Sequence, residues 1–192
     1  MTLLPWTAPG AYRTQVVVYD PKTLQPLSAA GPGAIPGGVL LPTRLPAATS
    51  TPASIGLPAE ATPIAATVGS AGVLAGYTLA SSGQNVLLTL FWQASGKTAQ
   101  PLKVFVQALD AGGHLIASGD SDPVSGAAPT TAWTAEERIR DIHRLTLPVG
   151  KPVAAYVVGL YDPVSGVRLP ITLADGSSAP DAALHLAAPP RP

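Results

Sequence analysis

The chain spells one turn twice. Val16 to Leu27 reads VVVYDPKTLQPL, and Val158 to Leu169 reads VGLYDPVSGVRL. Tyr19-Asp20-Pro21 and Tyr161-Asp162-Pro163 therefore stand at one offset, as do Leu27 and Leu169. An echo at such a distance implies two copies of one structural unit, the first lacking its beginning. In the second copy Tyr156, Val158 and Leu160 fall on one face of a strand, with Ala155, Val157, Gly159 and Tyr161 on the other. Both faces are apolar, which fits a central strand covered on both sides. The first copy keeps Val16 and Val18 on the face of Val158 and Leu160 but puts Arg13 and Gln15 on the opposite one. The shared face is thus the expected core. Asp162-Pro163-Val164-Ser165-Gly166 supplies turn chemistry, because Asp bonds the turn backbone, Pro fixes φ and Gly accepts positive φ.

The turns set the fold class. With 19 Gly and 22 Pro among 192 residues, yet 46% hydrophobic ones, the composition suits many short strands rather than disorder. Only 11% of residues are charged and the net charge is zero, which argues against nucleic acid or an anionic membrane as main partner. The absence of cysteine excludes disulfides, thiolate zinc sites and cysteine nucleophiles. The opening residues, MTLLPWTAPGAYRTQ, carry no signal-peptide pattern, and no apolar run reaches the roughly 20 residues of a membrane helix.

Residues 1–45 read as the closing hairpin of an incomplete first unit plus a short strand, Gly38 to Leu41. The unpaired edge left there offers self-association through residues 11–19. Residues 46–60, rich in Pro, Ala, Ser and Thr, read as a linker. Residues 61–188 read as one complete β-sandwich, and 189–192 as a tail. Its expected strands are Gly72 to Leu79, Gln84 to Gln93, Leu102 to Leu109, His114 to Ser118, Ile139 to Leu147, the repeated stretch and Ala182 to Ala187. Val86, Leu88, Leu90 and Trp92 share one face of the second. Thr134-Ala-Glu-Glu137 reads as a capped helical turn, and Ser95-Gly96-Lys97-Thr98 as a hairpin turn, since the upstream Gly of a phosphate loop is missing. About eight strands without a helix-period segment predict an all-β antiparallel sandwich, immunoglobulin-like or jelly-roll-like.

The order Gly76-Tyr77, LTLFW (Leu88 to Trp92), VFVQALDAGGHLIASGDSDP (Val104 to Pro123), PTTAW (Pro129 to Trp133), Glu137, Asp141 and VGLYDPVSGVRLP (Val158 to Pro170) resembles a β-sandwich module of large bacterial surface and membrane proteins. Such modules often follow multi-span, glycosyltransferase-like regions, sometimes in tandem. The resemblance implies an extracytoplasmic location and no established activity. Where similar modules carry Gly before the Glu of W-x-x-G-E, this chain has Glu136. Before the central strand it has Gly150-Lys-Pro-Val-Ala-Ala-Tyr156 in place of Pro-Gly-x-Tyr, a form that the first copy keeps in Pro9-Gly10-Ala11-Tyr12.

Reactive constellations are thin. His114, His143 and His185 share no ligand spacing, so they read as surface or hydrogen-bonded structural residues rather than zinc ligands. Asp120 and Asp122 lie in one loop that Asp141 approaches if its strand begins there. Calcium is the sharp reading of that trio; turns and caps, with Asp141 accepting bonds from loop amides or pairing with Arg138 or Arg140, are the bland one. Trp133 follows a Pro/Thr loop; it reads as a plug for the sandwich end or, if exposed, as a platform for sugar. No nucleophile elbow is present, and the adjacent Glu136 and Glu137 would face opposite ways on a strand, unlike a glycosidase pair. The expectation is a non-catalytic module without cofactor, whose partners are domains of the same polypeptide or cell-surface proteins. The alternative is a carbohydrate-binding module using Asp120, Trp133 and Asp141, with Asp122 as a further candidate.

Overall fold

The computed structural model describes residues 13–18, 20, 27–28, 30–35, 38–44 and 56–187. Within 56–187 two antiparallel sheets face each other across one apolar core, a β-sandwich. The five-stranded sheet runs β11-β4-β5-β6-β9, from β4 (Thr62–Val68), β5 (Gly72–Ser82), β6 (Asn85–Ala94), β9 (Arg138–Thr146) and the short β11 (Ile171–Thr172). The four-stranded sheet runs β12-β10-β7-β8, from β7 (Lys103–Leu109), β8 (Leu115–Ser118), β10 (Ala155–Tyr161) and β12 (Leu184–Ala187).

Alternation decides what lies between the sheets. Val86, Leu88, Leu90 and Trp92 of β6 meet Val104 and Val106 of β7 and Tyr156, Val158 and Leu160 of β10 in one cluster. Side chains of period two thus place the expected faces inside. The opposite face of β10 is covered as well. Phe105, Val157 and Ala183 form a second, smaller buried cluster outside the four-stranded sheet. Gly159 makes that cover possible, because a Cβ there would lie 2.6 Å from the Phe105 ring. Leu88, fully buried, and its neighbours each contribute on the order of 1.5–3 kcal/mol of transfer free energy.

Two strands escape the sequence pattern. β4 reads TPIAATV, whose small residues carry little hydrophobic signal, and its register shifts between Pro63 and Ala66, where Ala65 has φ +58°. β11 is two residues long. The Asp110–Gly113 turn joins β7 to β8 as expected, with the Asp110 carboxylate accepting from the Gly112 and His114 amides. Ser95–Thr98 differs from expectation: it is no hairpin turn, since β6 and β7 belong to different sheets, and the segment carries the chain across. Thr134–Glu137 forms a turn rather than a helical one. Glu137 Oε2 accepts from the Thr134 amide and hydroxyl at 2.8 and 3.1 Å, while Glu136, at φ +64°, lies in the left-handed region where a right-handed helix cannot continue. This is the position at which the resembled modules carry glycine.

The repeated stretch forms the same contact in both places. In the second, Asp162 Oδ1 accepts from the Val164 amide, Gly166 takes φ +73°, and the Leu169 amide donates to the Leu160 carbonyl at 2.9 Å. In the first, the Leu27 amide donates to the Val18 carbonyl at 2.8 Å. The second stretch leaves its sheet after the single Tyr161–Arg168 bridge and crosses to β11, so the expected closing hairpin is only one bridge long. Near the N-terminus, β1 (Arg13–Val16), β2 (Ala34–Ile35) and β3 (Gly38–Arg44) form a three-stranded sheet of order β1-β3-β2. Gln15 and Val16 pair with Leu40 and Val39, as Val157 and Val158 pair with His185 and Leu184. The expected first-copy turn at residues 21–26, Pro9 to Tyr12, most of the linker at 46–60 and the tail lie outside the described residues.

Replacing Glu136 by glycine relieves the left-handed strain at the cost of an exposed bond with Gln93. Urea denaturation of Glu136→Gly should show a gain of about 0.5–1 kcal/mol; a loss would mean that the Gln93 contact outweighs the backbone.

Candidate functional site

Residues 119–137 connect β8, an edge of one sheet, to β9, an edge of the other. Connections beyond about 12–15 residues without strands of their own need anchors. Three of the four candidate residues and His143 supply them. Asp141 and His143 alternate with Ile139 and Leu145 on the inward face of β9, and the side chains of both are fully buried.

Their geometry fixes the protons. Asp141 Oδ2 lies 2.9 Å from His143 Nε2, and Oδ1 accepts the Val124 amide at 2.8 Å. On its far side His143 Nδ1 lies 3.1 Å from the Gly119 carbonyl and 3.3 Å from Ser121 Oγ. A carbonyl only accepts, so Nδ1 carries a hydrogen; facing an ionised Asp141, Nε2 donates to the carboxylate and the ring is an imidazolium. Burial pushes the His143 pKa down, yet the hydrogen bond and charge of Asp141, the Gly119 carbonyl and the charge of Asp120 outweigh it and hold the group above its ordinary value. Gly119 permits the approach, for a Cβ there would stand 2.9 Å from the Arg144 carbonyl. The Asp141 bond to Val124 also holds an unusual turn, in which Val124 and Ser125 both take φ +52°.

The remaining candidates separate. Asp120 Oδ1 accepts from the Val106 amide at 3.1 Å and the Ser118 hydroxyl at 2.6 Å. Asp122 is exposed and precedes a short 3₁₀ segment, Pro123–Gly126, without capping it. Among the described residues no three His, Cys, Asp or Glu side chains gather as metal ligands. The calcium trio is not assembled, because Asp141 is turned inward onto His143. Trp133 is buried, 2% exposed; its ring tilts against Trp92 at 6.3 Å and its N–H donates to the Ala128 carbonyl at 2.8 Å. It is the plug, and no ring face is open for sugar. Beside it, fully buried Thr130 accepts from the Leu102 amide and the Thr98 hydroxyl.

His143 is the residue that sequence reasoning left unpaired. The signal was there: two polar residues two apart, inside an apolar stripe of period two, face the same interior and have only each other and the loop. As an acid–base device the pair is ill placed, since neither side chain reaches solvent. Its chemistry is that of an internal tie. No family model, curated protein or solved structure matches the chain.

Two predictions follow from the pair. Asp141→Ala strands a buried imidazolium and should cost about 3–5 kcal/mol in urea denaturation, whereas Asp141→Leu with His143→Leu should cost clearly less; equal costs would contradict the pairing. A histidine raised above its unfolded value stabilises fully below about pH 6.5, and that stability is lost as pH climbs through the folded pKa. The denaturation midpoint should therefore fall from pH 6 to 9 (approximate bounds), and this fall should vanish in the double variant.

Proposed function

We propose that this chain is a non-catalytic, extracytoplasmic structural and interaction module of a larger bacterial surface or membrane protein. The observation that carries this reading is the first copy of the repeated stretch. It makes the same backbone bond and the same strand register as the second, but its apolar face is bare. Val16 and Val18 are 45% and 59% exposed, where their counterparts Val158 and Leu160 are fully buried. Leu27 is half exposed too. Such a face is stable only when further strands cover it, and strands of the same kind in a tandem array are the natural cover. Residues 13–44 are then the end of one unit and 61–188 the next, immunoglobulin-like in strand count, with the 46–60 linker between them. The partners are neighbouring domains of the same polypeptide or other surface proteins.

A non-catalytic role is supported by how the polar residues are used. Asp141, His143, Thr130 and Trp133 are committed to holding the 119–137 connection. Among the described residues no helix is long and apolar enough to cross a membrane. The extracytoplasmic location rests on the resemblance of the sequence to surface modules. The carbohydrate reading at the sandwich end has no support from Trp133, whose ring is enclosed.

Location is testable because the chain has no cysteine. Val164, at the tip of the repeated turn, is 92% exposed. A Val164→Cys variant in its native host should react with a membrane-impermeant maleimide in spheroplasts as fully as after lysis. Labelling only after lysis would overturn the proposal.

A further inference from the structure

The outer face of the four-stranded sheet holds a groove that the module reading does not use. Phe105, Gln107, Asp120, Tyr161, Gly166 and Arg168 line a cavity of about 230 Å³ there. It is built in layers. The Phe105 ring rests on Gly159, and the Arg168 guanidinium lies over that ring, 4.2 Å from its centroid. Arg168 is steadied by Gln107 Oε1 and the Asp181 carbonyl, each at 3.3 Å. Tyr161 flanks the stack, its ring 6.3 Å from that of Phe105.

The repeat separates what the turn needs from what the groove needs. The first copy retains Tyr19, Asp20 and Pro21, and with them the Leu27–Val18 bond. Yet it carries Val17, Leu24 and Pro26 where the second has Gly159, Gly166 and Arg168. The contact across the turn therefore forms without these three residues. Gly159 admits the Phe105 ring into the outer cluster and Gly166 takes the positive φ of the turn, while Arg168, where the first copy has Pro26, caps the ring and adds a charged group to the lining.

We infer that this groove binds one neutral hexose unit, free or at the end of a glycan. Arg168 makes no ion pair among the described residues, so guanidinium hydrogens remain for a ligand. Asp120 keeps acceptor capacity beyond the two bonds at Oδ1. The lining thus pairs one positive with one negative group and disfavours a ligand of net charge. A guanidinium, a carboxylate and an amide each present adjacent polar atoms in a plane, which suits neighbouring hydroxyls that both donate and accept. The partly exposed Tyr161 ring meets the C–H face of a sugar ring, while Phe105, buried between Gly159 and Arg168, is the floor beneath Arg168. The cavity lies below the roughly 300–1,000 Å³ of drug-sized ligands, so it takes a single ring.

The test is an amide NMR titration of the full chain with the methyl glycosides of glucose, galactose and mannose, and separately with acetate. At least one glycoside should give saturable millimolar shifts at Phe105, Gln107, Tyr161 and Arg168. In Arg168→Lys, which keeps the charge and the stem over Phe105, the affinity should fall about tenfold or more. Gln107→Leu, read the same way, gives a second variant should the first disturb the fold. A glycan ending in the bound hexose should compete with its methyl glycoside; failure to compete would confine the site to the free sugar and overturn the glycan arm. Saturation by acetate alone, shifts centred on residues 122–137 with none at the groove, unchanged affinity in both variants, or no saturation by any glycoside would each overturn the inference.

Discussion

The closure of this sandwich at one side depends on an ion pair buried between its sheets. β8 and β9 are edge strands of different sheets, and the chain between them must pass over the apolar interior. Asp141 and His143 reach that connection from inside, at Val124 on one hand and Gly119 and Ser121 on the other. Taking two charges from water costs several kcal/mol for each, and only a fully bonded geometry offsets it. Here the carboxylate and both ring nitrogens find partners. The tie therefore fixes one path of the loop, and Trp133 and Thr130 are seated by the same path. The opposite side needs no such device, because the chain itself crosses there from β10 to β11 and back to β12.

That division explains why the module offers little reactive chemistry at the end where its polar residues cluster. The groups that look functional in the sequence face inward. The face left for recognition is the outer side of the four-stranded sheet, where a glycine in the central strand lets an aromatic ring lie flat and an arginine stack upon it. The polar tie lies between the two sheets, on β9 of the five-stranded one, and the groove on the outer side of the four-stranded one.

Much of this was legible beforehand, and the misses have physical causes. The inward faces of β6 and β10 followed from alternation, because Leu, Val, Trp and Tyr report burial strongly. β4 did not, since alanine and proline report it weakly and a left-handed Ala65 breaks the period. The helical turn at Thr134 was misread because a Glu three residues after a Thr caps turns and helices alike; the backbone of Glu136 decided it. Asp141 bonding a loop amide is among the alternatives its loop neighbours suggest, whereas its union with His143 shows in no ligand spacing. Trp133 as plug or platform hung on exposure, which sequence does not carry. The Phe105–Arg168 stack joins residues far apart in the chain, and no local pattern announces it.

The account turns on His143 being a buried imidazolium, and nitrogen NMR of its ring reads this directly. At neutral pH both Nδ1 and Nε2 should resonate as protonated nitrogens, with a titration midpoint above about 6.5 and slow hydrogen exchange. A ring that is neutral at pH 7 and titrates like a solvent-exposed histidine would contradict the tie, and with it the reading of this end of the sandwich as structural.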